Sequence, residues 1–543
     1  MRTGAQLLVE TLKAHGVDTI FGIPGIHNLA IYDALVDERA IRVVTTRDER
    51  GAGHMADGYA RATGRPGVCL TVPGPGVTNA LTAIGEAYAD SSPVLLLASQ
   101  LPSGTVNVDR EDFHQLRDVE AVLRSVTQWG VRPARVEEIG RAVDEAFRRF
   151  ETGRPRPCYV DLPMDLLSAK VDSTVFAHQA DRSPCPSGAP PHADVRRAAE
   201  ALMAASRPLL LVGGGAWRAA DSLRELVDRL SIPVVMTNSG KGIIPEDHPL
   251  SLGDGWMVHQ LGREALEQAD CIFAIGVRFG PLTTSWWTRQ ISGRVVHVDI
   301  DPTEIGKHTP VSIGIIGDAT QVAEALVAQF GDRDAGARRP WLDVIVVRER
   351  RRAAIRGRAP DAVATLEGLR RVLPDESLLF NDINGIACWG AGAFICRRPR
   401  TFHYPIGFGC LGFALPAAIG AKLARPAVPV VALCGDGSFL FSGHELATAV
   451  QERASVVAVV FNDDAYGTIK ADQSYRHPGR SLGGDLRSPD FVRYAEAFGA
   501  RGCRVDSVQK VPDAVAAALE HDAPTLIEAP CPQALPPWIE TDR

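Results

Sequence analysis

Two aspartates, Asp436 and Asp463, stand 27 positions apart, and each follows a short apolar run that predicts a buried strand. Helical patterning over 442–452 separates the runs Val430–Leu433 and Val456–Phe461, so the two strands are predicted to be parallel neighbours. Since the carboxyl ends of parallel strands meet at one edge of a sheet, we expect the two carboxylates to lie side by side. Paired hard oxygen ligands of this kind suit Mg²⁺ or Ca²⁺.

Glycines on both sides of Asp436, Gly435 and Gly437, let the backbone approach an anion closely. The helix predicted just beyond them offers unpaired N–H groups to a phosphate. Together these features indicate a divalent cation that holds a diphosphate. On its own, Gly-Asp-Gly also fits an ordinary loop whose aspartate caps a helix, and the spacing to Asp463 is what favours the metal site.

A second group of candidate residues lies near the N-terminus, in three loops that each follow a predicted strand and open a helix. The loops are residues 22–28, 47–51 and 73–79. Their candidate residues are His27, Glu49, Gly74 and Asn79. Because the loops share one edge of the predicted sheet, we expect them to border one pocket. A carboxylate at a helix N-terminus is also stabilised by the helix dipole, which is the structural alternative for Glu49.

The elements that position these residues alternate between strand and helix, which is typical of α/β domains with mostly parallel sheets. At 543 residues the chain is long enough for about three domains. We expect three doubly wound domains, at 1–170, 190–331 and 360–535. Two polar stretches, Val171–Asp194 and Gly331–Arg339, are predicted to be linkers.

The composition excludes several classes of protein. A hydrophobic content of 45% is ordinary for a globular protein, and the chain, with net charge −7, has no basic run typical of nucleic-acid binding. No apolar stretch reaches the roughly 20 residues of a membrane span, and the N-terminus lacks the apolar core of a signal peptide. The ten cysteines are scattered without metal-binding spacing. We therefore expect a cytoplasmic protein that binds neither nucleic acid nor membrane.

The Gly-Asp-Gly sequence with an Asn/Asp cluster 27 positions later resembles the thiamine diphosphate (ThDP) motif. The stretch 45–79, TTRDERGAGHMADGYARATGRPGVCLTVPGPGVTN, resembles the pyrimidine-binding domain of the acetolactate synthase superfamily. The resemblance covers almost the whole chain and implies ThDP and Mg²⁺ as cofactors. It assigns Asp436, Asp463 and the backbone carbonyl of Ala465 to the metal ion, although relatives commonly carry Asn at the second position. Other candidate cofactor-binding residues are Gly74, Asn79, Leu411, Gly435, Gly437, Ser438, Tyr466 and Gly467.

The glutamate that activates the cofactor in these relatives corresponds to Glu49. A carboxyl group that is hydrogen-bonded to N1′ of the pyrimidine ring converts the cofactor's 4′-amino group to its imine tautomer. The imine then removes the C2 proton. Relatives often have His-Glu-Gln where this chain has Asp48-Glu49-Arg50. Leu411, between Gly409 and Gly412, corresponds to the apolar wedge that bends the cofactor. The alternative for Leu411 is an ordinary core leucine.

Polar residues near the expected pocket are candidates for contact with the substrate. The segment Asp112–Gln115 resembles a loop that closes over the active site in relatives, and family decarboxylases often use histidines for proton transfer after CO₂ leaves. We predict that His27, His114 and Gln115 face the substrate, with loop-building roles as the alternative. His54 lies inside a helical pattern and is predicted to be structural.

The central domain carries Gly213–Gly215 after a predicted strand, which is an incomplete dinucleotide signal. The equivalent domain of acetolactate synthases binds FAD and usually contains Arg-Phe-Asp-Asp, whereas this chain has Arg278-Phe-Gly-Pro281. FAD is therefore the less favoured expectation for this domain. A domain that only packs against its neighbours is the favoured one.

Relatives of this type decarboxylate 2-oxo acids through an enamine intermediate, which either takes up a proton and gives an aldehyde or attacks a second carbonyl. Segments 22–29, 153–157 and 464–470 are more similar to decarboxylases of the 5-guanidino-2-oxopentanoate type. We predict a decarboxylase of a small-molecule 2-oxo acid. The alternatives are an acetolactate-synthase-type carboligase and a non-catalytic ThDP-binding protein. The resemblance also implies a homodimer or a dimer of dimers with active sites at the subunit interface.

Overall fold

A computed structural model of the protein describes residues 1–172, 190–254, 260–288, 291–331, 339–531 and 535–539. They form three six-stranded sheets in which every strand pair is parallel. A short antiparallel pair, Arg2–Thr3 with Lys170–Val171, ties the two ends of the first domain together. The prediction of three α/β domains with mostly parallel sheets is confirmed.

The first sheet belongs to the N-terminal domain. In spatial order its strands are Arg42–Thr45, Thr19–Gly22, Gly67–Thr71, Val94–Gln100, Cys158–Pro163 and Trp129–Val131. Its helices are Gly4–Ala14, Leu29–Val36, Glu49–Thr63, Pro75–Asp90, Val119–Arg124, Glu138–Thr152 and Met164–Ser168. Buried β-branched and leucine residues on both faces of the inner strands explain why this sheet is parallel and covered by helices.

The central sheet has a different strand order. In spatial order its strands are Ser251–Asp254, Val234–Met236, Pro208–Val212, Cys271–Ile275, Arg294–Asp299 and Ile313–Ile316. Its helices are His192–Ala204, Ala220–Leu230, Gln260–Gln268, Pro281–Thr284 and Ala319–Phe330. Numbered along the domain, the strands run 3-2-1-4-5-6, an order that is typical of dinucleotide-binding sheets.

The third sheet repeats the topology of the first. In spatial order its strands are Phe402–His403, Leu378–Asn381, Val430–Gly435, Val457–Asn462, Thr525–Pro530 and Arg501–Arg504. Its helices are Val344–Arg358, Pro360–Val372, Gly390–Ala393, Ala414–Ala424, Asp436–Phe439, Leu446–Gln451, Gly467–Arg476, Phe491–Ala497 and Val511–Leu519. Numbered along each domain, both sheets run 2-1-3-4-6-5.

The first and third domains share one hydrophobic core, in which helix Glu49–Thr63 packs against helix Ala414–Ala424. Two glycines allow this close approach. A methyl group at Gly58 would lie 1.9 Å from the backbone oxygen of Ala417. One at Gly420 would lie 2.0 Å from the backbone oxygen of Met55. The two helices therefore meet backbone to backbone.

Most of the two predicted linkers, Val171–Asp194 and Gly331–Arg339, lies outside the described residues. Within the described parts of the chain, no helix combines the length and apolar character needed to cross a membrane.

Candidate active site

The two aspartates singled out in the sequence lie at the carboxyl edge of the third sheet. The strands that carry them, Val430–Gly435 and Val457–Asn462, are parallel neighbours, as predicted, and Gly435 pairs with Phe461. Asp436 is 1% exposed. Burial raises the pKa of both Asp436 and Asp463, and repulsion from Asp436 raises the pKa of Asp463 further. The site thus holds two adjacent carboxyl groups whose charged forms are destabilised by burial and by their mutual repulsion. A bound cation would stabilise both charges.

Backbone and hydroxyl groups hold the Asp436 carboxylate in place. Its Oδ2 accepts the backbone N–H of Ala465 at 3.2 Å and the hydroxyl of Ser488 at 2.9 Å. The Ser438 hydroxyl accepts the N–H of Gly435 at 3.1 Å and donates to its carbonyl at 3.2 Å. The turn is therefore fixed before any ligand binds, which lowers the ordering cost of binding.

Two glycines at this edge of the sheet are packed closely against side chains of the protein itself. A methyl group at Gly437 would lie 2.7 Å from the Tyr466 ring, and one at Gly467 would lie 2.0 Å from Oδ2 of Asp463. Tyr466 therefore covers the glycine that follows Asp436, and Gly467 leaves room for the Asp463 carboxylate. Close packing around the two aspartates explains why both positions are glycine.

The segment that carries Leu411 adopts a strained, loop-like backbone. Gly409 and Gly412 have φ values of +72° and +80°, which side chains rarely adopt. Between them Leu411 is half-buried, while the residues that follow are fully buried. The buried carboxylate of Asp382 accepts the N–H groups of Phe413 and Ala414, both at 3.0 Å, and so anchors the end of the segment.

Glu49 lies at the carboxyl edge of the first sheet and is 9% exposed. Its Oε2 accepts a hydrogen bond from the Asn79 side chain at 3.0 Å. A methyl group at Gly76 would lie 3.3 Å from its Oε1, so the second loop passes close to the carboxylate. Loops 47–51 and 73–79 therefore meet at Glu49, and a pocket shared by the three loops stays a prediction.

A stack of rings stands beside the same sheet edge. The His27 and His114 rings are 5.2 Å apart, and Phe113 stacks on His114 at 4.0 Å between centroids. His27 is 5% exposed, and Nδ1 of each histidine has no hydrogen-bond partner. Burial and the neighbouring His114 lower the pKa of His27. A methyl group at Gly74 would lie 2.4 Å from the His114 carbonyl, which joins this loop to the stack.

Gln115 uses both ends of its amide within its own loop. Its Nε2 donates to the carbonyl of Val108, and its Oε1 accepts the N–H groups of Asp112 at 2.9 Å and Arg110 at 3.3 Å. These bonds give Gln115 a loop-building role. Its contact with a substrate stays a prediction.

Within one chain, Glu49 and the aspartate pair do not bond to one another. Among the hydrogen bonds and ion pairs of the described residues, none joins Glu49 to Asp436 or Asp463. What connects the two domains instead is a row of bonds from loop 47–50 to residues 441–451 of the third domain.

Comparisons with known proteins identify all three domains. Residues 2–122 match the N-terminal TPP-binding domain of thiamine pyrophosphate enzymes, residues 195–326 match the central domain, and residues 382–529 match the C-terminal TPP-binding domain. The chain belongs to the thiamine pyrophosphate enzyme family. Thiamine pyrophosphate is another name for ThDP.

Three relatives of the chain carry the names of two different activities. It is 37% identical over 539 residues to the probable 2-ketoarginine decarboxylase of Pseudomonas aeruginosa, covering 97% of this chain and 93% of that protein. It is 34% identical over 552 residues to a probable acetolactate synthase large subunit of Methanocaldococcus jannaschii, covering 97% and 91%. It is 35% identical over 535 residues to the acetolactate synthase isozyme 3 large subunit of Escherichia coli, covering 96% and 93%.

The residues present fit the cofactor of thiamine pyrophosphate enzymes. Asp436 and Asp463 would supply two hard oxygen ligands to a metal ion. A cation here would complete its shell with backbone carbonyl, water and phosphate oxygens, as Mg²⁺ prefers. No cluster of three or more His, Cys, Asp or Glu side chains suited to a metal occurs in the parts of the chain that the structure describes.

The central domain of this thiamine pyrophosphate enzyme borders a cavity of about 770 Å³. The cavity lies where the strand order of the central sheet reverses, beside Gly214, Gly215 and Gly276, the position at which such sheets bind ligands. Arg154 also lines it, is 8% exposed and leaves one nitrogen, Nη2, without a partner. The cavity is large enough for a nucleotide, and the expectation of a domain that only packs stays a prediction.

Three residues of the site were missed in the sequence. Ser488, which bonds Asp436, lies 52 positions away in a polar loop and gives no local signal. Asp382 directly follows the buried strand Leu378–Asn381, and an aspartate in that position was the available signal for an anchor. Gly76 belongs to the Gly-Pro-Gly sequence of loop 73–79, and this repetition of glycine was the available signal.

Proposed function

We propose that this enzyme catalyses the ThDP- and Mg²⁺-dependent decarboxylation of a 2-oxo acid to an aldehyde. The observation that carries the proposal is the pair of stacked histidine rings, His27 and His114, beside the sheet edge that holds Glu49. An aldehyde forms only if the carbon that loses CO₂ gains a proton, and imidazoles with unpartnered nitrogens are suited to deliver one.

Each residue of the site then has a defined task. Asp436, Asp463 and the Ala465 carbonyl hold Mg²⁺, and the metal ion in turn holds the diphosphate. Glu49 holds a proton at its carboxyl group, which Asn79 orients. Bound ThDP supplies the electron sink for the loss of CO₂. Leu411 supplies an apolar contact that shapes the cofactor site.

The second candidate is an acetolactate-synthase-type carboligase, which the identity of 34% and 35% to acetolactate synthase subunits favours. Both reactions begin with the loss of CO₂. They differ in what then reacts with the carbon atom that carried the carboxyl group. A proton gives an aldehyde, whereas a second 2-oxo acid gives an acyloin. The histidine pair favours the first outcome.

The experiment is a product analysis with purified protein, ThDP and Mg²⁺. We expect CO₂ and an aldehyde, with 2-ketoarginine as the first substrate to test because of the Pseudomonas relative, and pyruvate and longer 2-oxo acids beside it. CO₂ with an acyloin supports the carboligase. No CO₂ from the whole panel contradicts both and leaves a non-catalytic ThDP-binding protein.

We further propose a homodimer, or a dimer of such dimers, in which Glu49 of one chain meets the metal site of the other. Both sheet edges carry exposed apolar side chains, which monomers rarely leave uncovered. On the first domain these include Ile26, Leu29 and Phe113, and on the third domain Leu440, Ile469 and Leu482.

Mixing two inactive variants tests this arrangement. In a dimer of Glu49→Gln and Asp436→Ala chains, one site receives both wild-type residues if sites form between chains. Random re-association then restores about a quarter of the wild-type turnover. If each site formed within one chain, the mixture would stay inactive.

The remaining expectations have simple tests. A cytoplasmic location is supported by nine free thiols among the described residues, and fractionation of cells tests it.

The proposed reaction has no net redox change, so we propose that FAD is not required even though the central cavity has room for a nucleotide. Flavin absorbance in the purified protein, lost together with turnover when the flavin is removed, would contradict this.

A further inference from the structure

Glu445 is a fully buried carboxylate of the third domain whose main partners lie in the first domain. Its Oε1 accepts the backbone N–H groups of Arg47 and Asp48 at 3.0 and 3.1 Å. Its Oε2 accepts the hydroxyl of Thr448 at 2.5 Å. Burying a carboxylate is unfavourable unless hydrogen bonds satisfy it. These three bonds therefore fix both the side chain and the loop that it holds.

The loop that Glu445 holds leads directly to Glu49. Asp48 is the N-cap of helix Glu49–Thr63 and accepts the N–H of Arg50 at 2.8 Å. The first residue of the helix is thus positioned by a cap within the first domain and by a carboxylate from the third. Proton transfer depends steeply on placement, and an error of about 1 Å can cost about 100-fold in rate.

Neighbouring atoms also leave the Glu445 carboxylate little space. A methyl group at Gly51 would lie 2.1 Å from its Oε1, so only glycine leaves the carboxylate where it is. Glu452, by contrast, crosses the same interface without touching this loop, because it pairs with Arg42 at 2.6 Å near the domain surface. The contact at Glu445 is therefore specific to the approach to Glu49.

We propose that Glu445 is a positioning residue, which holds the loop at Arg47 and Asp48 so that Glu49 is aligned for its proton transfer. The proposal rests on the proposed function, since it gives Glu49 a proton to move. Glu445 follows helix Asp436–Phe439 on one short segment. In the proposed dimer, the segment that binds one chain's metal ion therefore also positions the carboxyl group that serves the other chain's site.

Amide hydrogen exchange of the cofactor-free protein measures the contact directly. In Glu445→Ala we expect the amides of Arg47 and Asp48 to exchange at least about 10-fold faster than in wild type, because their acceptor is gone. Gly51→Ala should show the same change, because the added methyl group displaces the Glu445 carboxylate. Alanine favours a helix more than glycine does, so the substitution should not weaken the helix itself. Glu445→Gln keeps an oxygen acceptor of the same length and should restore slow exchange.

Turnover with ThDP and Mg²⁺ completes the test. Glu445→Ala and Gly51→Ala should lower kcat by about 10-fold to 100-fold with little change in ThDP retention. Glu445→Gln should recover most of kcat, and Glu452→Ala, the matched control, should change neither kcat nor exchange. If Glu445→Ala does not fold, Gly51→Ala still tests the proposal, because it keeps Glu445 but displaces its carboxylate.

Two results overturn the proposal in distinguishable ways. Faster exchange at Arg47 and Asp48 without a fall in kcat, or wild-type exchange in Glu445→Ala, contradicts the role of Glu445 alone. A wild-type protein that converts no 2-oxo acid contradicts the proposed function and the positioning role together.

Discussion

The first and third sheets have the same strand order, yet their carboxyl edges carry different chemistry. The edge of the first sheet holds one glutamate, an asparagine and two stacked histidines. The edge of the third holds two neighbouring aspartates among closely packed glycines. The shared topology explains why candidate residues of both domains lie at the strand ends, and the types of those residues distinguish the two edges. In the proposed function, the first edge handles protons and the third holds charge.

The largest effect is expected at the charge-holding edge. Asp436→Ala should lower Mg²⁺-dependent retention of ThDP by at least about 100-fold, because even partners outside the ligand shell cost about 10-fold to 100-fold in metal affinity. Equilibrium dialysis measures this. Asp472→Ala, which removes an exposed charge paired with Arg476, is the matched control. Unchanged retention would show that Asp436 is not a metal ligand.

The proton-handling edge should respond in the opposite way. Glu49→Gln keeps the size of the side chain, so ThDP retention should remain near wild type while kcat falls by about 100-fold to 10,000-fold. Dialysis and a turnover assay on the same preparation separate the two effects. Glu38→Gln, on the surface of the same domain, should leave both unchanged. Near-normal turnover in Glu49→Gln would remove Glu49 from the mechanism.

A smaller effect is expected at the histidine stack. His114→Asn should lower kcat for aldehyde formation by about 10-fold to 100-fold, because His27 remains as an alternative proton carrier. Product analysis sharpens the result, since slower protonation leaves more time for attack on a second carbonyl and should raise the share of acyloin. An unchanged ratio of products at unchanged kcat would place His114 outside the reaction.

The last prediction concerns stability rather than turnover, at the carboxylate that joins the first and third domains. Burial raises the pKa of Glu445 to about 7, above its value of 4.5 in the unfolded chain. Between these values the unfolded chain has lost the proton and the folded chain keeps it. The free energy of unfolding of wild type, relative to Glu445→Gln, should therefore fall by up to about 3 kcal/mol from pH 4.5 to 7 and then level off. Urea unfolding at pH 5 and pH 8 measures the difference, and a pH-independent difference would contradict the shift.

The central strands of all three sheets could be predicted because buried parallel strands are continuous apolar runs. Five strands with a weaker apolar pattern, Trp129–Val131, Ser251–Asp254, Ile313–Ile316, Phe402–His403 and Arg501–Arg504, are all edge strands of the six-stranded sheets. Edge strands are short and pair on one side only, so their apolar pattern is weak. Local sequence also singled out the candidate residues Glu49, Asp436 and Asp463, because each lies just beyond the end of a strand.

Contacts between distant segments could not be predicted in this way. Nothing near Glu445 indicates that its partners lie about 400 positions earlier in the chain. The bond between Ser488 and Asp436 depends on a loop that returns across the sheet edge. Such pairs depend on how the domains pack, a property that neither periodicity nor motif spacing records.

The glycine contacts between helices Glu49–Thr63 and Ala414–Ala424 have a mechanical consequence. Backbone lies against backbone at Gly58 and Gly420, and a shared hydrophobic core surrounds these contacts, so sliding of the two domains of one chain would break close packing. We therefore expect the two domains to move as a single block. Admission of a substrate and departure of a product must then come from movement of surface loops or from two blocks parting, rather than from any hinge inside one.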